Sequence, residues 1–161
     1  MTRIIFICWG NICRSPMAEF VMKDLVRRSG LEGEYEIASA ATSREEIGNP
    51  VYPPARKKLA EHGIGTPENE LGVAEKRARQ MTFADYEYYD QIICMDRLTL
   101  NRAVGIAKGD PANKISMLLD HTQRCGEEVA DPWYTGNFDA TWTDVLEGCT
   151  ALLQQPPQFV V

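Results

Sequence analysis

The sequence predicts a single α/β domain in which four strands alternate with helices and form a parallel sheet covered on both faces. Three observations lead there. The chain has 161 residues, the usual size for one domain with its own core. Its apolar residues alternate between short continuous runs of strand length and longer stretches with spacings of three and four, the helical signature. Each strand is separated from the next by a helix, which tight hairpins do not allow and right-handed parallel crossovers require.

The elements follow in order. Ile4, Ile5, Phe6 and Ile7 make Thr2–Cys8 a buried strand that ends at a turn containing Gly10. Ser15 reads as the cap and Pro16 as the first residue of a helix that carries Met17, Phe20, Val21, Leu25 and Val26 and stops near Gly30. Tyr35–Ser39 is a short second strand. Pro53 and Pro54 open a helix that runs to His62 and stops at Gly63, and residues 65–80 are polar with a weak helical signal. Thr82-Phe83-Ala84-Asp85 resembles a capping box, Gln91–Met95 a third strand, Arg97–Ala107 a helix and Lys114–Leu119 a fourth strand. His121 to Asn137 is a long loop. Phe138, Trp142, Val145, Leu146, Cys149, Leu152 and Leu153 then give the strongest helical pattern, which Pro156 and Pro157 end.

Composition narrows the function. A hydrophobic share of 44% and a charged share of 25% describe an ordinary globular chain, and the net charge of -6 argues against nucleic acid as a partner. No apolar run approaches the ~18 residues that span a bilayer, so no membrane role is expected. The five cysteines, at 8, 13, 94, 125 and 149, lack metal-finger spacing, and the chain starts on a strand without a leader pattern. These features point to the cytoplasm, with no metal and no cofactor.

Residues Cys8-Trp9-Gly10-Asn11-Ile12-Cys13-Arg14-Ser15 carry the chemistry. In a parallel sheet they lie where ligands bind, beyond the carboxyl end of a strand at a reversal of strand order. Successive backbone N–H groups there, with the first turn of the helix, cradle a tetrahedral dianion, and Arg14 clamps two of its oxygens. Cys8 stands at the mouth, where positive field favours thiolate. Given a phosphate monoester, Cys8 attacks phosphorus and Asp131, stiffened by Pro132, protonates the leaving oxygen. Trp133 and Tyr134 wall the site. The blander readings are a buried apolar cysteine, a helix cap at Ser15 and a common turn at Asp131-Pro132; the loop as a whole outweighs them. Cys94 and Cys149 read as core residues and Cys125 as an exposed thiol. Cys13 is either packing or a reversible disulfide partner that shields Cys8.

These residues resemble the low-molecular-weight protein tyrosine phosphatases. The resemblance rests on Cys8-Trp9-Gly10-Asn11-Ile12-Cys13-Arg14-Ser15-Pro16-Met17-Ala18-Glu19 and Asp131-Pro132-Trp133-Tyr134. It extends through Ser39-Ala40, His62-Gly63-Ile64, Ala78-Arg79-Gln80 and Ile93-Cys94-Met95-Asp96, nearly the whole chain. It implies a flavodoxin-like fold over residues 1–161 and metal-free hydrolysis of phosphotyrosine, with Cys8 as nucleophile, Arg14 binding the phosphoryl group and Asp131 as acid and then base. Asn11 and Ser39 would shape the loop, Ser15 would support the thiolate, and Trp133 and Tyr134 would flank the substrate ring. The expected partners are a phosphotyrosine protein and a cognate tyrosine kinase. Three positions depart from the family pattern: Ala41 replaces a usual glycine, Lys76 a common histidine in the network behind Asn11, and Glu45 an aromatic that some members place on the rim. The alternatives are an arginine phosphatase of the same fold, which tends to carry threonine where Ile12 stands, a thioredoxin-linked arsenate reductase, which needs closely placed extra cysteines, and a non-catalytic phosphate- or phosphoprotein-binding module.

Overall fold

In a computed structural model, described here over residues 1–154, β1 (Thr2–Cys8) lies between β2 (Tyr35–Ala41) and β3 (Gln91–Cys94), with β4 (Ile115–Met117) outside β3. All three pairings are parallel, and the order β2-β1-β3-β4 reverses direction at β1. The crevice beyond Cys8 is therefore the topological switch point.

Alternation along β1 sorts the core into two layers. Ile4, Phe6 and Cys8 face α1 (Arg14–Arg28), α2 (Pro53–Glu61) and α6 (Phe138–Gln154), where Phe20, Leu59 and Val145 bury. Ile5 and Ile7 face α3 (Phe83–Tyr88) and α4 (Arg97–Ile106), packing on Tyr86 and Ala103. Both isoleucines are fully buried, which stabilises the fold by about 1.5–3 kcal/mol each. Thr82 and Asp85 form the expected capping box.

Several expected elements are corrected. α1 begins at Arg14 with Cys13 at the cap position and no side-chain cap, because the Ser15 hydroxyl is turned toward Cys8. Residues 65–80 form no helix; they run as turns with short bridges at Pro50–Arg77 and Ala41–Gln80. β4 is only Ile115–Met117, since Leu118–His121 closes into a 3-10 turn around the Asp120 carboxylate, which accepts the Met117 N–H. The long loop contains a short helix, α5 (Pro132–Thr135), started by Asp131. The proline stop at 156–157 lies outside the described residues.

Candidate active site

The loop between β1 and α1 is pinned by its carbonyls. Cys8 O and Trp9 O accept the N–H groups of Thr42 and Ser43, Ile12 O accepts from Tyr52, and Cys13 O accepts from Met17 in the first helical turn. A trans peptide sets C=O and the following N–H on opposite sides, so the N–H groups of Trp9, Gly10, Cys13 and Arg14 are turned away from these partners. Asn11 takes the left-handed conformation (φ 61°) that makes the bend, one that asparagine tolerates better than most residues. Its side chain is fully engaged: Nδ2 donates to Ser15 Oγ (2.8 Å) and Ser39 Oγ (2.9 Å), and Oδ1 accepts from Arg79 N (3.2 Å).

Cys8 sits at the base of this bend, 3% exposed. Its sulfur is 3.0 Å from Ser15 Oγ and accepts the Asn11 N–H at 3.2 Å. Cys13 is also buried, and burial, followed by the negative charge of Cys8 and Asp131, pushes its thiol far above the ordinary value. Cys13 is therefore held protonated, while Cys8 accepts the Asn11 N–H.

Arg14 is held like a strut. Nη1 bonds Asp96 Oδ2 at 2.6 Å and Val129 O at 3.0 Å, and Nη2 lies 3.4 Å from Asp131 Oδ2. Burial opposes its charge, but Cys8, Asp96 and Asp131 outweigh burial and raise its pKa. Asp96 is half-buried, which opposes its ionisation; donors from Thr99 and Arg14 prevail and hold its carboxyl below the ordinary range. The same carboxylate caps α4 by accepting Thr99 N at 2.7 Å.

Asp131 approaches from the other side of the crevice, its Oδ1 accepting Trp133 N at 3.0 Å. Cys8, Arg14 and Asp131 line one cavity of about 140 Å³ with Trp9, Gly10, Ile12, Cys13, Trp133 and Tyr134. Glu45 and Glu46 complete the wall. Trp9 is clasped on the rim, donating from Nε1 to Glu45 (3.0 Å) with the Arg102 guanidinium 4.5 Å above its ring. Opposite, Trp133 leans on Tyr52 with ring centroids 5.0 Å apart.

Comparison with known proteins gives the family and the fold. The family model described as low molecular weight phosphotyrosine protein phosphatase matches residues 3–157. The chain belongs to that family. It is 36% identical over 154 residues to low molecular weight protein-tyrosine-phosphatase YfkJ of Bacillus subtilis, covering 95% of this chain and 94% of the relative. The crystal structure of YfkJ superposes with a TM-score of 0.85, covering 95% of this chain and 92% of that one. The low molecular weight phosphotyrosine protein phosphatase of Gallus gallus is 36% identical over 159 residues, covering 95% of this chain and 94% of its own. The fold is shared as well by a Drosophila arginine phosphatase, at 27% identity and a TM-score of 0.83 over 96% of both chains.

Every residue expected at this family's site from the sequence reaches the cavity or its backing. Asn11, Ser15 and Ser39 lie behind the loop rather than on its open face, all fully buried. Ala41 fits without strain: it pairs with Cys8 in the β1–β2 register and has no positive φ. Asp96, Glu19 and Glu46 were not assigned a role from the sequence. Asp96 caps α4, and only its distance to Arg14 reveals its second contact. Among the described residues no helix is long and apolar enough to cross a membrane.

Proposed function

We propose that this protein hydrolyses phosphotyrosine in phosphoproteins through a phosphocysteine on Cys8. The observation that carries the reading is the convergence of Cys8, Arg14 and Asp131 on one cavity with aromatic rims. The dianion would occupy the loop, its oxygens on the inward N–H groups and on Arg14, where charge is stabilised by preorganised donors. The Cys8 thiolate attacks phosphorus in line; the S–P bond forms, the P–O bond to the aryl group breaks, and Asp131 delivers its proton to the departing oxygen. Asp131, now a carboxylate, takes a proton from water as that water attacks phosphorus, and the S–P bond breaks to return the thiolate and inorganic phosphate. These steps need no metal or cofactor. The free cysteines support a reducing compartment such as the cytoplasm, and the substrates imply a tyrosine kinase that supplies them.

The Drosophila neighbour favours a second reading, phosphoarginine hydrolysis. Ile12 in the cavity and the exposed Trp133 and Tyr134 support a flat aryl ester instead. An arsenate reductase relay finds little support, since Cys94 is buried in β3 and Cys125 is exposed elsewhere. A pure binding module would have no use for Asp131 beside a nucleophile. Phosphotyrosine and phosphoarginine peptides, assayed with wild type and Cys8→Ser, separate these outcomes. Turnover of the tyrosine peptide alone, lost in Cys8→Ser, is expected; turnover of the arginine peptide alone, or binding without turnover, overturns the proposal.

A further inference from the structure

Trp9 follows the nucleophile directly and is fastened at three points. Its carbonyl accepts from Ser43 N at 3.1 Å and from Ser43 Oγ at 2.8 Å. Its ring nitrogen donates to Glu45 Oε2 at 3.0 Å, and the Arg102 guanidinium lies over the ring, 4.5 Å from a centroid. Ser43 and Glu45 belong to one turn, in which Glu45 N donates to Ser43 Oγ at 3.4 Å. The segment that pins the loop backbone therefore also returns a carboxylate to the indole. That segment continues from β2, whereas Arg102 sits on α4 after β3, so extensions of both strands beside β1 hold the one ring.

Packing alone does not account for this arrangement. Trp9 is half-buried, and Glu45 and Arg102 are exposed. An exposed arginine lying along an aromatic ring is common by itself, since its stem covers apolar surface while its head stays in water. A carboxylate on the ring nitrogen as well fixes the plane of the ring, which covering apolar surface does not require. The ring so fixed lines the cavity with Cys8, Arg14, Trp133 and Tyr134.

We propose that Trp9 selects aryl esters by offering the ring face not covered by Arg102 to the substrate ring, across the cavity from Trp133, and that Glu45 and Arg102 are positioning residues that hold it there. The proposal rests on the aryl phosphate reading given above and names a residue that discriminates the ring. The chemistry suits such a substrate. A phosphate dianion on the ring oxygen makes an aryl group electron-rich, and a guanidinium behind the indole draws density away from it, so cation, indole and aryl ester stack in order of rising electron density. An alkyl phosphate would place the same dianion in the loop and gain nothing from the stack.

The test separates ring from anion with two phosphonates, whose P–C bond resists hydrolysis. Benzylphosphonate has the shape of phenyl phosphate, and methylphosphonate keeps the anion without the ring. Calorimetry gives Kd of both for wild type, Trp9→Ala, Glu45→Ala, Glu45→Gln, Arg102→Met and Arg102→Lys, beside thermal stability. The readout is the preference for benzylphosphonate, the ratio of the two Kd values, in which the effect of a changed charge on the dianion cancels. Trp9→Ala should lower that preference by about fivefold. Glu45→Ala and Arg102→Met should each lower it by about two- to threefold, and Glu45→Gln, which keeps an acceptor, and Arg102→Lys, which keeps a cation, should recover most of the loss. Neither should lower it further in a Trp9→Ala background, because both act through that ring. A wild type without the preference, or a Trp9→Ala protein that keeps it, would overturn the proposal, whether or not the variant binds both ligands more weakly or melts earlier. Glu45→Ala and Arg102→Met proteins with the wild-type preference would overturn the positioning role. Hydrolysis of a phosphotyrosine peptide is followed separately: ring preference that depends on Trp9 without turnover by wild type refutes the proposed reaction, and turnover with the preference intact in Trp9→Ala refutes the ring contact alone.

Discussion

The two sides of the crevice are built in opposite ways. On one side residues 8–15 are closed in: Asn11 and Ser15 are fully buried, Arg14 is 3% exposed, and the loop carbonyls are bonded to β2's extension, Tyr52 and α1. On the other side α5 is a single short helix whose Trp133 and Tyr134 are 54% and 85% exposed. Among the described residues two bonds hold the Asp131 carboxylate, one from Trp133 N and a long one from Arg14. The difference matches the two demands of the proposed reaction. Stabilising charge on an anion needs donors fixed beforehand, whereas the proton donor must follow leaving groups of different size.

The comparison can be broken most forcefully at Arg14. Arg14→Lys keeps a positive charge but loses the two-pronged geometry, and kcat/KM for an aryl phosphate should fall by about 10²–10³-fold. A loss under threefold would mean the fixed side does not depend on that fork. Asp131→Asn, on the open side, should cut kcat by about 10²-fold for a phenolic leaving group that needs a proton and far less for an activated nitrophenol. Equal losses for both esters would contradict its role as acid.

Asp96→Asn tests the strut in stability rather than rate. It should cost about 2 kcal/mol near neutral pH in urea unfolding, because a buried guanidinium loses its short partner. Asp96 ionises more readily folded than unfolded, so this contribution is complete above the ordinary carboxylate value and is lost as pH falls through the lower, folded one. The gap between wild type and variant should therefore close in acid; a gap that widens would reverse the sign assigned here. The smallest effect belongs to Trp133→Ala, which should raise KM for a phosphotyrosine peptide by about fivefold, through lost ring contact, with kcat little changed.

The same contrast explains what was legible in the sequence. The closed side announced itself, since Cys8 to Ser15 is one continuous segment at the end of an apolar strand. The helix start was misplaced because Ser15, a good cap by residue type, has its hydroxyl engaged with Cys8 and Asn11, and tertiary partners outweigh local preference. Asp131-Pro132 reads by itself as a common turn, and only the loop at residues 8–15 singled it out. Asp96 and Glu19 come from distant segments, and their contacts, with Arg14 and with Ser39, exist only once β1, β2 and β3 are side by side. Residues 65–80 misled for a related reason: their backbone is held by bridges and by Asn11 and Asn49, which periodicity does not register.

The central claim is that phosphoryl passes to the Cys8 sulfur under the control of the fixed side and leaves it with the help of the open one. Rapid acid quench of Asp131→Ala with an activated aryl phosphate, followed by mass spectrometric mapping, tests this directly. A phosphorylated Cys8 peptide should appear within the first turnover and be absent from Cys8→Ser. Phosphate release with no modified Cys8, or release undiminished in Cys8→Ser, would contradict it.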